Sequence, residues 1–442
     1  MKIQLSDHFT YRKLLLFTLP SIAMMIFTSV YGVVDGFFVS NFVGKTPFAA
    51  VNFIYPFLGI LGTFGFMFGT GGSALISKTM GEGDTPRANR LFSMIVYISI
   101  AVGIVIAVLG IFWIRPVAEW LGAEGELLEN CVLYGRIILA ALPAFMLQME
   151  FQSFFITAEK PQLGFVATVG AGVTNMVLDA LFIAVFSWGI AGAALATAIS
   201  QMVGGLIPLF YFSRKNTSLL RFTKPTFDGR ALLKTCTNGS SELMSNVSMS
   251  LVSMLYNMQL MKYAGEDGVA AYGVLMYVCM VFIAIFIGYS IGTAPVVGYH
   301  YGAENSAELK NLLKKSLIIT GITSVGMLVA GEVLAKPLSL LFVGYDPSLL
   351  SITLRGFLIF SISFLFSGIA IYGSGFFTAL NNGLISALIS FLRTLVFQVA
   401  AILILPLLWE LDGIWISIVV AELMAALVTV LFLLGMKKKY HY

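Results

Sequence analysis

A single carboxylate, Asp35, interrupts an otherwise apolar stretch, YGVVDGFFVSNFVG. A charged side chain at membrane depth is costly, so such a residue marks a functional site by default. Gly32 and Gly36, four residues apart, flank it and would let a second helix approach closely. Tyr31, one turn before Asp35, is predicted to hydrogen-bond to it. The alternative is an acid near a helix end that reaches water.

A second acid of the same kind is Asp179, in GVTNMVLDALFI. Asn175 precedes it by four residues, so the two share a helix face. Thr197 lies in the next apolar stretch, GIAGAALATAISQ. Together with Asp35 these side chains offer oxygen ligands and one amide, which suits Na⁺ as a metal ion or a shared proton. Two carboxylates in a low-dielectric site cannot both stay ionised without a cation. The alternative is that each acid has its own local partner.

Other polar residues in apolar stretches are candidates for a substrate cavity. These are Gln148, Glu150, Gln152, Glu242 and Tyr256. A different pair, Arg393 and Glu422, is predicted to form an ion pair between neighbouring helices. Pro20 lacks an amide hydrogen and lies on the same predicted helix as Asp35, so it is the candidate hinge.

The composition explains why these polar residues stand out. The chain has 442 residues, of which 58% are apolar and 11% are charged. Repeated apolar runs of about 20 residues predict an all-α membrane protein. Twelve transmembrane helices are predicted, within 14–38, 47–76, 92–113, 132–157, 163–187, 190–212, 236–261, 269–298, 316–335, 351–379, 383–408 and 413–436.

Charge is distributed unevenly between the loops. When the N-terminus is placed in the cytoplasm and the loops alternate, most of the 26 lysines and arginines fall on the cytoplasmic side. This bias predicts a multi-pass protein of the plasma (inner) membrane with both termini cytoplasmic. The bilayer therefore accounts for the basic residues, and no nucleic-acid partner is expected.

The chain repeats itself. A shift of 221 residues places Gly44, Gly71 and Gly81 on glycines, and Phe155, Thr157 and Ala158 on Phe376, Thr378 and Ala379. Two pseudo-symmetric six-helix lobes are therefore predicted, 1–212 and 235–442, with a cytoplasmic linker at 213–234 and a cavity between the lobes. In this register Asp35 corresponds to Tyr256 and Asp179 to Ala400, so only the N-lobe carries the acid pair.

Several classes of function are disfavoured. The three histidines and three cysteines form no catalytic or metal-binding spacing, so neither an enzyme nor a cofactor is expected. No phosphate-binding loop that would indicate a pump is present. A flippase for a lipid-linked precursor is the alternative to an antiporter. It would need several cationic residues in the cavity, for which the chief candidate is Arg393.

The chain resembles the multidrug and toxic compound extrusion (MATE) transporters of bacterial type over essentially its full length. The resemblance rests on VVDGFFVSNFVG, GTGGSALISKTMGEGD, FFITAEKPQLG, and GVTNMVLDALFI followed by GIAGAALATAISQ. It implies a V-shaped pair of lobes that exports cationic, amphipathic small molecules in exchange for Na⁺ or H⁺. It also implies a cation site at Asp35, Asn175, Asp179 and Thr197. Some members have acids on the seventh and tenth helices, but here the tenth has none. A monomer is expected.

Overall fold

The computed structural model describes residues 3–442, apart from the side chains of Val33, Ser40, Asn41 and Lys45, and this part of the chain is almost entirely helical. The α-helices are α1 (Tyr11–Phe42), α2 (Lys45–Gly81), α3 (Thr85–Trp120), α4 (Gly125–Ala140), α5 (Leu142–Thr157), α6 (Pro161–Asp179), α7 (Gly189–Ser213), α8 (Gly229–Gly302), α9 (Ser306–Val343), α10 (Pro347–Ser361), α11 (Phe364–Ala379), α12 (Gly383–Phe391), α13 (Phe397–Ile404) and α14 (Pro406–Tyr440). Short π-helical segments, Ala180–Val185 and Leu392–Val396, follow α6 and α12.

The described residues contain twelve membrane spans, as predicted. Nine helices are long and apolar enough to span, and eleven spans result when the bent pairs α4–α5 and α10–α11 each count as one. The 74-residue α8 would be about 110 Å long if straight. It is interrupted at Gly265, where φ is 63°, and the rings of Tyr256 and Tyr272 stack 5.2 Å apart across the reversal. Helix α8 therefore supplies two spans.

The internal repeat is visible in the backbone. The span α4–α5 bends by 56° at Ala141, and the span α10–α11 bends by 50° at Ile362, the equivalent position in the repeat. Pro143 lies in the first turn of α5, beside the first break, and favours a bend there. The two matching breaks therefore indicate that the lobes share one architecture.

The lobes pack against each other through glycines on α2 and α8. A Cβ atom built on Gly71 would lie 2.0 Å from the Thr235 carbonyl oxygen, and one on Gly239 would lie 2.0 Å from that of Met67. Such positions admit only glycine, because any side chain would push the backbones apart. We call the end of the bundle at which Gly81 and Gly302 are located the closed end.

Toward the opposite end the lobes separate. Ser29 of α1 donates a hydrogen bond of 3.5 Å to the Met280 carbonyl oxygen of α8. Beyond it, a Cβ atom built on Gly32, Gly36 or Gly273 would have no atom within 4 Å. The result is the V-shaped pair of lobes with a central cavity, open at this end.

The segment before α1, residues 3–10, forms what we call the N-terminal strap across the closed end. Leu5 and Phe9 are completely buried. The amide of Leu5 donates to Glu159 of the N-lobe at 2.8 Å, and the amide of Phe9 donates to Glu308 of the C-lobe at 2.9 Å. His8 Nδ1 lies 2.6 Å from the other carboxylate oxygen of Glu308. The strap is thus bonded to both lobes.

The connection between the lobes is mostly extended and lies against α3. Its backbone amides at Arg221 and Thr223 donate to the side chains of Asn89 and Ser93, at 2.8 and 2.9 Å. Helix α8 already begins at Gly229, inside the segment predicted as linker, because the Asp228 side chain caps its first turn.

Candidate functional site

Asp35 lies in the last third of α1, which runs without interruption past Pro20. Its partners come from two other helices of the N-lobe. Asn175 and Asp179 lie on one face at the end of α6, where they are 1% and 0% exposed, and Thr197 lies on α7. Asp179 is the last residue before the π-helical segment Ala180–Val185. Segments of this kind often occur at functional sites, since they widen the helix locally.

The structure brings all four predicted ligands together. The Asp35 carboxylate faces the side chains of Asp179, Asn175 and Thr197. Asp35 Oδ1, both carboxylate oxygens of Asp179, both polar atoms of Asn175 and Thr197 Oγ1 are buried without a hydrogen-bond partner. Unpaired buried polar atoms are costly, and the cost is greatest in a membrane interior. We call these four residues the acid site.

The acid site depends on a close contact between α1 and α6. A Cβ atom built on Gly172 would lie 2.4 Å from Phe27 Cε1 and 3.1 Å from Tyr31 Cδ1. Gly172 precedes Asn175 by three residues, so it is on the helix face that carries the ligands. Its lack of a side chain lets the two helices approach until the carboxylates can meet.

Tyrosines surround the acid site. Tyr31 lies close to Asp35, as the helix spacing suggested, and its hydroxyl faces the Gln148 side chain; its hydrogen bond to Asp35 stays a prediction. Tyr55 of α2 and the buried Tyr134 of α4 also lie near Asp35, although sequence reasoning did not select them. They are distant in the chain and no local spacing connects them with the acids. Their hydroxyls can donate hydrogen bonds to a carboxylate.

The residues predicted to line a substrate cavity are divided between the two lobes and do not share one environment. In the N-lobe, Gln148 and Gln152 are buried and line a small internal cavity together with Thr168 of α6 and Gly204 of α7. Gln148 borders the acid site through Tyr31. Glu150 is completely buried on another side of α5.

In the C-lobe, Tyr256 is packed against Tyr272 and is 2% exposed. Glu242 is half-buried near Arg393. Arg393 forms the predicted ion pair, with its Nε 3.0 and 2.9 Å from the two carboxylate oxygens of Glu422. Its charge is therefore already compensated within the lobe.

The acid site offers oxygen atoms that could coordinate Na⁺ or accept a proton. Among the described residues no group of three histidine, cysteine, aspartate or glutamate side chains could hold a metal ion together. The acid site has only two carboxylates, supplemented by an amide oxygen and a hydroxyl. This set of uncharged and anionic oxygens differs from the imidazole and thiolate ligands that zinc and copper prefer.

Comparison with known sequences matches this architecture. The sequence model of the MatE family matches twice, at residues 20–181 and 243–404. The chain belongs to the MatE family. The second match begins 223 residues after the first, close to the shift that aligns the two halves.

Relatives within the family extend over nearly the whole chain. Multidrug export protein MepA of Staphylococcus haemolyticus (strain JCSC1435) is 24% identical over 437 residues, which cover 97% of this chain and 94% of the relative. Multidrug export protein MepA of Staphylococcus saprophyticus is 25% identical over 430 residues, which cover 95% and 93%.

Solved structures show the same fold. One described as MATE in the straight conformation has a TM-score of 0.92 at 23% identity, with 98% of each chain covered. A second, described as the outward-facing conformation of a multidrug resistance MATE family transporter, has a TM-score of 0.92 at 24% identity and covers 98% of this chain and 97% of the other. The two-lobe arrangement is thus the fold of the family.

Proposed function

We propose that the protein is a secondary antiporter that exports cationic, amphipathic small molecules in exchange for Na⁺ or H⁺. The observation that carries this proposal is the acid site, where two carboxylates meet among unpaired polar atoms in only one of two otherwise matching lobes. A pair needed only for architecture would have a counterpart in the C-lobe, but the equivalent residues are Tyr256 and Ala400.

The names of the relatives support the substrate class. Two of them, 24% and 25% identical over nearly the whole chain, are named multidrug export proteins. The balance of charge in the spans agrees with cationic cargo. Arg393 is the chief candidate for binding an anionic headgroup. Its positive charge is already balanced by the Glu422 carboxylate. A flippase for a lipid-linked precursor is therefore the weaker alternative.

Coupling follows from electrostatics at the acid site. Asp35 and Asp179 repel each other when both are ionised, and a bound cation or proton removes that repulsion. Binding therefore draws α1 toward α6 and α7. Pro20 cannot donate a backbone hydrogen bond, so α1 bends most easily there, and the rearranged lobe releases its substrate. Each charge that enters contributes about 2.3 kcal/mol per 100 mV of membrane potential.

The orientation proposed from the loop charges places the closed end in the cytoplasm. Both termini then lie in the cytoplasm, and the cavity opens to the outside of the plasma membrane. In this conformation substrate would leave and the coupling ion would enter. The N-terminal strap would be at the cytoplasmic entrance, where it must yield before substrate can be loaded. One chain contains both lobes and is proposed to act as a monomer.

Transport in proteoliposomes tests the proposal. The wild-type protein should move ethidium, a lipophilic cation, against its gradient when a Na⁺ gradient or a pH gradient is imposed separately. Asp35→Asn should abolish this movement, because an amide neither binds the cation with its charge nor accepts the proton. Asp267→Asn, a matched change at the α8 reversal, should transport normally. Full transport by Asp35→Asn would refute the proposal.

A further inference from the structure

A third buried acid of the N-lobe, Glu150, takes no part in the acid site. It lies on α5 between Gln148 and Gln152 in sequence, but two residues along an α-helix turn the side chain through about 200°. Gln148 faces Tyr31, so Glu150 points away from it. The residue is 0% exposed, and neither of its carboxyl oxygens has a hydrogen-bond partner.

The surroundings of Glu150 contain one serine hydroxyl and the backbone of a glycine. The side chain of Ser99, on α3, faces the carboxyl group, and its hydroxyl has no hydrogen-bond partner. On α2, a Cβ atom built on Gly69 would lie 2.8 Å from Glu150 Cα. Among the described residues no charged side chain on these helices acts on the carboxyl group.

An isolated carboxylate in such a place would be strongly destabilised, whereas the neutral acid is not. The neutral acid carries its own O–H, which can donate to the Ser99 hydroxyl. Sodium is a poorer occupant, because one carboxylate and one hydroxyl provide fewer oxygen ligands, and fewer charged ones, than the acid site. The chemistry of the position therefore suits a proton.

The internal repeat argues that the acid is not required for packing. The residue equivalent to Glu150 in the C-lobe is Ile371, on α11 at the matching place in the bent span. An apolar side chain thus serves the same architecture. The N-lobe has a buried acid at this position, where the C-lobe has an apolar residue, and Asp35 likewise corresponds to a residue that is not an acid, Tyr256. Burying an acid costs free energy that an apolar residue would not.

Glu150 is also well placed to influence the contact between the lobes. It lies against Gly69 of α2, and two residues further on Gly71 packs against Thr235 and Gly239 of α8. A change in charge at Glu150 would draw in water or move α5 away from α2. Either response reaches the α2–α8 contact within one helical turn.

We propose that Glu150 is a second proton-binding site of the N-lobe, which releases and regains its proton in each transport cycle. This inference rests on the antiport proposed above. It adds one proton to whatever ion binds at the acid site, and it links that proton to the packing of α2 between the lobes.

The number of coupled protons is measured by the ethidium gradient that a known pH gradient sustains, with the membrane potential held at zero. At equilibrium the ethidium concentration ratio equals the proton concentration ratio raised to the number of protons exchanged per ethidium. Losing one coupled proton therefore divides the ethidium ratio once by the proton ratio. For a tenfold proton gradient, Glu150→Gln should therefore sustain an ethidium ratio about tenfold below that of wild type. Glu332→Gln, an acid-to-amide change on α9 whose acid already bonds to Ser361, is the matched control and should sustain the wild-type ratio.

The infrared spectrum of wild-type protein with isotope-labelled glutamate gives an independent measurement that does not depend on a variant folding. A protonated glutamic acid C=O band should be present at neutral pH and should change when ethidium binds. An unchanged ethidium ratio in Glu150→Gln, or a wild-type spectrum without that band, would overturn the inference. Failure of the antiport itself is a different result, since wild-type protein would then respond to no ion gradient.

Discussion

Two kinds of buried ionisable side chain contrast in this protein. Arg393 and Glu422 satisfy each other with two hydrogen bonds from one guanidinium nitrogen. Asp179 has a neighbouring acid, and neither of its carboxylate oxygens has a hydrogen-bond partner. The first kind can remain charged without change during transport, whereas the second depends on a proton or cation. The presence or absence of an oppositely charged partner thus separates side chains that can stay charged from those that need a cation or proton. In the sequence alone, both kinds are simply charged residues within apolar stretches.

The ion pair predicts non-additive effects on stability. Glu422→Gln should lower the thermal stability of the purified protein, because it leaves the Arg393 guanidinium buried without its counter-charge; losses of about 3–5 kcal/mol are typical of such changes. Arg393→Gln combined with Glu422→Gln should cost less than the sum of the two single changes. Thermal unfolding in detergent measures all three variants. Strictly additive losses would show that the pair does not act as a unit.

The four residues of the acid site were predictable as neighbours, whereas the tyrosines around them were not. Helical spacing places Asn175 and Asp179 on one face, and the cost of burying an acid selects Asp35. Tyr134 approaches the acid site from α4, a separate span. Apolar periodicity does not encode how separate spans are arranged, so no feature of the sequence distinguished this tyrosine from the others.

At the scale of elements, the N-terminal strap is the least expected. The carboxylate of Glu308 accepts hydrogen bonds from the Phe9 amide and from Asn311 Nδ2, at 2.9 and 2.7 Å. Lys315 Nζ donates to the Phe9 carbonyl oxygen at 2.7 Å. The eight residues of the strap are therefore held in place in part by side chains of α9.

Removing the charge of Glu308 should loosen the strap. Hydrogen bonds to a charged group contribute about 1.5–3 kcal/mol, so Glu308→Gln should make the Phe9 amide exchange with solvent about tenfold faster or more. Hydrogen–deuterium exchange followed by mass spectrometry measures this directly. Glu304→Gln, an exposed acid in the preceding turn, is the control. Equal exchange in both variants would mean that Glu308 does not hold the strap.

The span count was predictable from hydropathy, but most breaks within spans were not. Apolar runs of sufficient length reveal how often the chain crosses the bilayer, and Pro143 favours the 56° bend beside it. The sequence does not reveal the 50° bend at Ile362 or the π-helical segment beside Asp179, because an apolar side chain fits a bent helix as well as a straight one. The extension of α8 into the predicted linker was missed because its first turn is polar.

At the scale of the molecule, the lobes meet around a local two-fold axis. A Cβ atom built on Gly81 would lie 1.9 Å from the Tyr299 carbonyl oxygen, and one on Gly302 would lie 1.9 Å from that of Lys78. These two contacts are exchanged by the 221-residue shift. Ser77 and Gly298, also equivalent, face each other directly, since a Cβ built on Gly298 would lie 3.4 Å from Ser77 Cβ.

This contact offers a way to lock the closed end. A Cβ separation near 3.4 Å is close to that of a disulfide, so Ser77→Cys combined with Gly298→Cys should cross-link when the native cysteines are replaced by serine. The oxidised protein should lose ethidium transport, and a reductant should restore it. Each single cysteine variant is a control and should not respond to oxidant. Undiminished transport by the cross-linked protein would show that the lobes need not part here.

The same contact has an evolutionary consequence. A six-span ancestor that bound a second copy of itself in parallel would place one residue directly against its own counterpart, as Ser77 now faces Gly298. Fusion of two such genes would preserve this contact between the halves and allow the two sequences to diverge. Two separately expressed fragments, divided between Ser213 and Gly229, should therefore recognise each other and rebuild a complete molecule.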